Sequence, residues 1–193
     1  MSLSTLQQYY LQKMGVDVYV PQHGAVASID RDTQSVKAVD FGSADDQKTW
    51  DDLRDAGAVC TKCELHKGRI QTVFGVGSIN AEWLIIGEAP GAEEDKQGEP
   101  FVGRAGKLLN SMLRAIGLQR EQVFIANILK CRPPGNRDPL PDEVACCEGY
   151  LKRQIALIKP KIILAVGRIA AQNLLKTDTP IGQMRGQRYE YPG

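Results

Sequence analysis

From Trp50 onward the chain alternates short apolar runs with segments of helical period, and few folds accommodate that order. Trp83–Ile86, Val123–Leu129 and Ile162–Val166 are the apolar runs; Leu108–Ile116 and Glu143–Ile158 carry the helix pattern. Alternation of this kind predicts an α/β fold, a parallel sheet with helices crossing between its strands. Turn chemistry agrees. Pro141, Asp142 and Glu143 suit a first helical turn, and Gly117 suits a helix stop. Gly167 is expected to turn the third run into the helix RIAAQNLLK, and RYEYPG reads as a last strand. A three-strand parallel core would leave one flank bare, so the chain reads as cut short.

Ahead of this region, Leu3–Met14 reads as a short helix, and the polar stretch behind it has no sustained period and reads as a linker. Residues 1–50 carry four basic and six acidic side chains, whereas the remainder is mildly basic. The expected division is therefore an N-terminal extension and linker over residues 1–47 and one domain over residues 48–193. With 42% hydrophobic and 24% charged residues the composition is that of a globular domain, not of a tail or a collagen-like chain. A net charge of +1 excludes histone-like binding, so any contact with nucleic acid must come from local clustering. No run reaches the roughly 18 apolar residues that span a bilayer, and the start lacks the pattern of a signal peptide. The expectation is a cytoplasmic protein without a membrane partner.

In that reducing compartment five cysteines do not suggest disulfides, and metal ligation leads. Cys60 and Cys63 form a C-x2-C pair, while Cys131 and Cys147, the latter beside Cys146, flank the loop CRPPGNRDPLPDEVACC. One tight pair and two spread ligands resemble iron–sulfur ligation more than a zinc ribbon, although spacing alone does not choose the metal. Buried cysteines without a metal are the plain alternative.

The first apolar run ends in GEAPGAEEDKQGEPFVGRAGKLL, where ligands of open α/β sheets bind and glycines admit close backbone approach. Neither a P-loop nor a dinucleotide fingerprint is present. Glu88, Glu94 and Asp95 follow the strand end, where carboxylates can orient water or stabilise a cationic transition state; Glu93 reads as solvated. Phe101 is either a core plug or a stacking surface for a base. Asn127, set among apolar residues in VFIANILKCRPP, either reads the edge of a planar ligand or bonds to nearby backbone. Lys130, Arg132 and Arg137 gather near the cysteine loop as a candidate phosphate patch, with Arg185 and Arg188 a smaller one.

These motifs, in this order, resemble the family 4 uracil-DNA glycosylases, the iron–sulfur branch of the uracil-DNA glycosylase superfamily. The resemblance runs from about Trp50 to the end and includes the cysteine pair, VFGVGS, the GEAPGAEED stretch, ANILKCRPPGNRDPLPDE and Cys147. It implies a three-layer α/β/α sandwich around a four-stranded parallel sheet and a [4Fe–4S] cluster on Cys60, Cys63, Cys131 and Cys147, not Cys146. It also implies a monomer that flips uracil out of single- or double-stranded DNA and hydrolyses its glycosidic bond, leaving an abasic site. On the same resemblance Glu88 and Ala89 belong to the first active-site motif, Phe101 stacks on uracil, Asn127 reads its polar edge, and Glu94 and Asp95 line the pocket. Family members carry a further motif that begins His-Pro and contains Leu-Leu-Arg. Here the histidines are His23 and His66, neither followed by proline. A chain ending at Gly193 is thus expected to lack the fourth parallel strand, with a damaged pocket, weak activity and reduced solubility. The alternative function is that of an inactive iron–sulfur DNA-binding remnant.

Overall fold

The computed structural model describes residues 44–192; the helix expected at Leu3–Met14 and the linker behind it lie outside them. Two strands form the centre of the sheet, β2 (Trp83–Gly87) and β3 (Phe124–Asn127). Both are apolar on both faces, as a strand covered on two sides must be, and they pair in parallel with Leu84 opposite Phe124 and Gly87 opposite Asn127. On the far side of β2 lies β4 (Ile162–Ala165), also parallel, with Ile85 opposite Leu164. The order is β1-β3-β2-β4.

The fourth strand differs in origin and direction from the one expected. β1 (Val76–Gly77) comes from the VFGVGS motif ahead of β2 and runs antiparallel to β3, so the sheet is mixed. RYEYPG, expected as a strand, forms none over its described residues 188–192. Arg188, Tyr189 and Glu190 are all exposed in sequence, without the alternation that a half-buried strand requires, and Pro192 has no N–H to give to a ladder. Only Tyr191 turns inward, onto the main core.

Helices cover both faces. α1 (Ala44–Ala58), α4 (Pro141–Ile158) and α5 (Arg168–Leu175) lie on one side; the first of these runs unbroken through position 47, where a boundary was expected. Here Trp50 stands edge-on to Phe74 and Phe124, with ring centroids 5.4 and 5.1 Å away. Leu84, Ile86, Ala126, Leu151, Ile158 and Leu174 complete this core. On the other face α3 (Arg104–Ala115) packs Leu109 and Leu113 against Ile85, Val123 and Ile125. Alternate residues of each central strand thus feed two cores, which makes the three-layer α/β/α sandwich. Two short helices remain, α2 (Ala92–Gln97) and α6 (Ile181–Met184). Beside β4, whose Ile162 and Leu164 are exposed, lies a groove of about 780 Å³. Among the described residues no helix is long and apolar enough to cross a membrane.

Candidate functional site

Register places the site. Gly87 and Asn127 stand opposite each other at the carboxyl ends of the two central strands, where open α/β sheets bind ligands. A Cβ added at Gly87 would lie 2.5 Å from the Asn127 Oδ1 and 2.6 Å from Cζ of Phe101. Ring and amide therefore close on one small space that only a glycine leaves open. Asn127 is 3% exposed and its side-chain amide takes part in none of the hydrogen bonds among the described residues; since none of their fully buried polar atoms is left unpaired, the amide touches solvent and its donor and acceptor stay open to a ligand.

Phe101 is held rather than draped. Its backbone takes a left-handed φ of 55°, a conformation that costs a phenylalanine free energy and persists only where its surroundings impose it. Arg120, on the single turn before β3, donates to the carbonyls of Pro100 and Phe101 and to Asn110 Oδ1. From the other side Glu94 Oε1 accepts the N–H groups of Val102 and Gly103 at 3.0 and 3.2 Å. Arg120 went unnoticed in the sequence because its partners are carbonyls about 20 residues away, which no local motif announces.

The three carboxylates separate by environment. Glu94 is engaged by the Phe101 loop. Asp95 is 1% exposed, and its Oδ1 accepts the backbone N–H of Ile70 at 3.0 Å and of Gln71 at 3.5 Å, which anchors the loop before β1. Glu88 alone is half-buried at the strand end with its carboxylate free of hydrogen bonds among the described residues. Burial raises its pKa above the ordinary value, Asp138 raises it further, and Arg168 works against both. Glu93 is exposed and paired with Lys96, as expected.

Behind the strand ends lie the cysteines. All five line one cavity, and Cys63, Cys131 and Cys147 pack together with Leu65, Leu129 and Ala89. Ala89 thus joins the GEAPG turn to the cysteines. Cys147 is buried and accepts the Lys130 N–H at 3.3 Å, whereas Cys146 on the next helical position bonds outward to the Lys62 carbonyl. Arg69 donates to Cys131 Sγ at 3.0 Å. Burial pushes the Cys147 thiol up to about 11 and raises Cys131 and Cys63 as well. Among the described residues no three His, Cys, Asp or Glu side chains stand in an arrangement that would hold a metal ion as they are placed.

The candidate phosphate patch dissolves into three different roles. Lys130 is 2% exposed, with Nζ bonded to the Asn127 carbonyl and to Gln154 Oε1, so it cannot touch a DNA backbone. Burial pulls its pKa down to about 8. Arg137 grips the Glu143 carboxylate with both Nη atoms at the start of α4, and Arg132 bonds Asn136 on the Pro-rich loop. Of the two arginines, Arg132 is the one whose charge has no carboxylate partner among the described residues.

An aromatic ring and an amide thus close on one space at the ends of parallel strands, with Glu88 next in the chain to the glycine between them, in an open α/β sheet. The chain belongs to the uracil DNA glycosylase superfamily, whose model matches residues 74–191. It is similar to proteins named Type-4 uracil-DNA glycosylase. That of Archaeoglobus fulgidus is 54% identical over 135 residues, 68% of this chain and 68% of that protein. For Saccharolobus solfataricus the identity is 50% over 137 residues, covering 68% and 63%. For Sulfurisphaera tokodaii it is 49% over 135 residues, covering 67% and 61%. The chain thus spans somewhat over three fifths of the lengths of these relatives.

Proposed function

We propose that this protein hydrolyses the N-glycosidic bond of uracil in DNA and leaves an abasic site. The observation that carries this reading is the convergence of Phe101 and the unspent amide of Asn127 on Gly87. A base inside a duplex is out of reach, so the nucleotide is extruded, at a cost of a few kcal/mol that is least for a mispaired or unpaired base. Stacking on Phe101 offsets part of that cost, about 1–3 kcal/mol. The Asn127 amide then accepts from uracil N3–H and donates to a neighbouring carbonyl. Cytosine presents an acceptor at N3 and an amino group in place of that carbonyl, so both bonds reverse and it is rejected.

As the bond breaks, positive charge grows on the sugar and negative charge on the departing base. Glu88, the one free carboxylate at the strand end, stabilises the sugar side and orients the attacking water. Asn127 donates to the base side. Glu94 and Arg120 act earlier, by holding the Phe101 loop in the conformation that stacks. Arg132, with exposed neighbours on the Pro-rich loop, contacts the phosphate backbone.

Cys60, Cys63, Cys131 and Cys147 are the residues that would hold a [4Fe–4S] cluster. They share one cavity, and two of their sulfurs receive N–H groups. When bound, such a cluster supplies a rigid four-thiolate cross-link. Through Cys60, Cys63, Cys131 and Cys147, residues 60–63 would then be joined to the loop after β3 and to α4.

The test is an assay of anaerobically purified protein on a single-stranded oligonucleotide carrying one uracil, scored as alkali-labile sites, beside Asn127→Ala. Cleavage by the wild type and a loss of about 100-fold or more in the variant is the expected result. No cleavage by protein that holds its iron and sulfide would overturn the reading in favour of a DNA-binding remnant.

A further inference from the structure

Lys130 is the most deeply buried cation among the described residues, and neither base stacking nor phosphate binding uses it. No salt bridge reaches it among those residues. Its Nζ donates 3.0 Å to the main-chain oxygen of Asn127 and 2.6 Å to Gln154 Oε1; Gln154, 0% exposed on α4, passes the chain on by donating 2.9 Å to the Phe74 carbonyl. The Lys130 main chain is fastened too. Its N–H goes to Cys147 Sγ at 3.3 Å, and its carbonyl receives the Val73 N–H at 2.8 Å. Four segments therefore meet on two side chains: the strand end bearing Asn127, the cysteine loop, α4, and the stretch before β1.

A bare apolar core would fill this volume at lower desolvation cost, so the polar pair serves geometry rather than stability. Resting on the glycosylase reading, we propose that Lys130 and Gln154 are positioning residues for base recognition, holding the Asn127 peptide so that its side-chain amide meets uracil in register. The ammonium fixes the carbonyl of the residue whose side chain reads the base. Gln154 fixes the ammonium against α4, the helix that carries Cys147. The relay links the cysteine centre to the pocket, beside the contact that Ala89 makes with the cysteines.

Single-turnover cleavage of a uracil oligonucleotide at saturating protein, with iron and sulfide counted per chain, tests this in Lys130→Met, Gln154→Leu and Gln154→Glu. Lys130→Met and Gln154→Leu are expected to slow cleavage about 10–100-fold, as loss of a charged hydrogen bond would. Their iron content and affinity for uracil-free DNA should stay unchanged, and Gln154→Glu, which keeps an acceptor for Lys130, should recover most of the rate. The decisive arm places Lys130→Met on Asn127→Ala. A residue acting through Asn127 adds less than about 3-fold there. Equal losses in both backgrounds, losses that track lost iron, or wild-type rates in both Lys130→Met and Gln154→Leu would overturn the proposal while the glycosylase reading stands. An inactive, iron-loaded wild type would instead overturn that reading and the relay with it.

Discussion

At the scale of single residues, the site rests on the absence of one atom. A Cβ at Gly87 would come within 2.5 Å of the Asn127 amide oxygen and 2.6 Å of the Phe101 ring, well inside ordinary contact, so Gly87→Ala must displace one of them. The expected result is a loss of about 100-fold or more in single-turnover rate, because misplacement by an ångström costs that much, while Tm falls by only a few degrees. Glu88 offers a second check. It must be ionised to face the cationic sugar, and burial with Asp138 has raised its pKa, so the rate should fall as pH drops through a value above that of an ordinary glutamate. Asp138→Asn removes a raising charge and should move this acidic limb to lower pH. Arg168→Gln removes a lowering charge, also frees Asp138 from its 2.8 Å ion pair, and should move the limb to higher pH. A limb that stays in place in both variants would remove Glu88 from the chemistry.

At the scale of elements, α4 shows how one helix end serves both stability and site. It starts with Pro141, whose missing N–H costs nothing in a first turn, and Glu143 accepts the Leu140 N–H at 2.9 Å. The same carboxylate receives both Nη atoms of Arg137, and these bonds hold its pKa below the ordinary value. A depressed carboxylate contributes stability that is present above its unfolded-state pKa and is lost as pH falls through the folded one. Glu143→Ala should therefore cost about 1–3 kcal/mol in denaturant unfolding near pH 7, and the gap from wild type should close under acid. The N-terminal signature of this helix was legible in sequence as Pro141-Asp142-Glu143. The Arg137 grip was not, since it depends on the turn of the Pro-rich loop, and position alone had marked Arg137 as a phosphate contact.

At the scale of the whole molecule, one cavity is lined by cysteines from segments far apart in the chain, residues 60–63, 131 and 147, which a bound cluster would tie together. A tightly held cluster binds the folded state alone and adds about 4 kcal/mol when its effective concentration exceeds its dissociation constant 1,000-fold. Stripping iron by ferricyanide and chelator should lower Tm by roughly 8–16 °C for a chain of this size. The freed thiols, pushed up in pKa by burial, should then react slowly with a thiol reagent until the protein unfolds. An unchanged Tm after complete iron loss would show that the cross-link is not structural.

What the sequence determined by itself is what depends on neighbours along the chain. Period and composition set the central strands, the long helices and their stops, and the ordered motifs set the family, because these signals are local and repeat. Contacts between distant segments were decided only in three dimensions. An antiparallel β1 took the sheet edge beside β3, and RYEYPG, with no alternation of buried and exposed side chains and a proline near its end, formed no strand. Three carboxylates alike in sequence became a loop clamp, a buried anchor and one free group, and a lysine beside two arginines turned inward. Side-chain direction and burial follow from what the other layers leave open, and no window of residues contains that information.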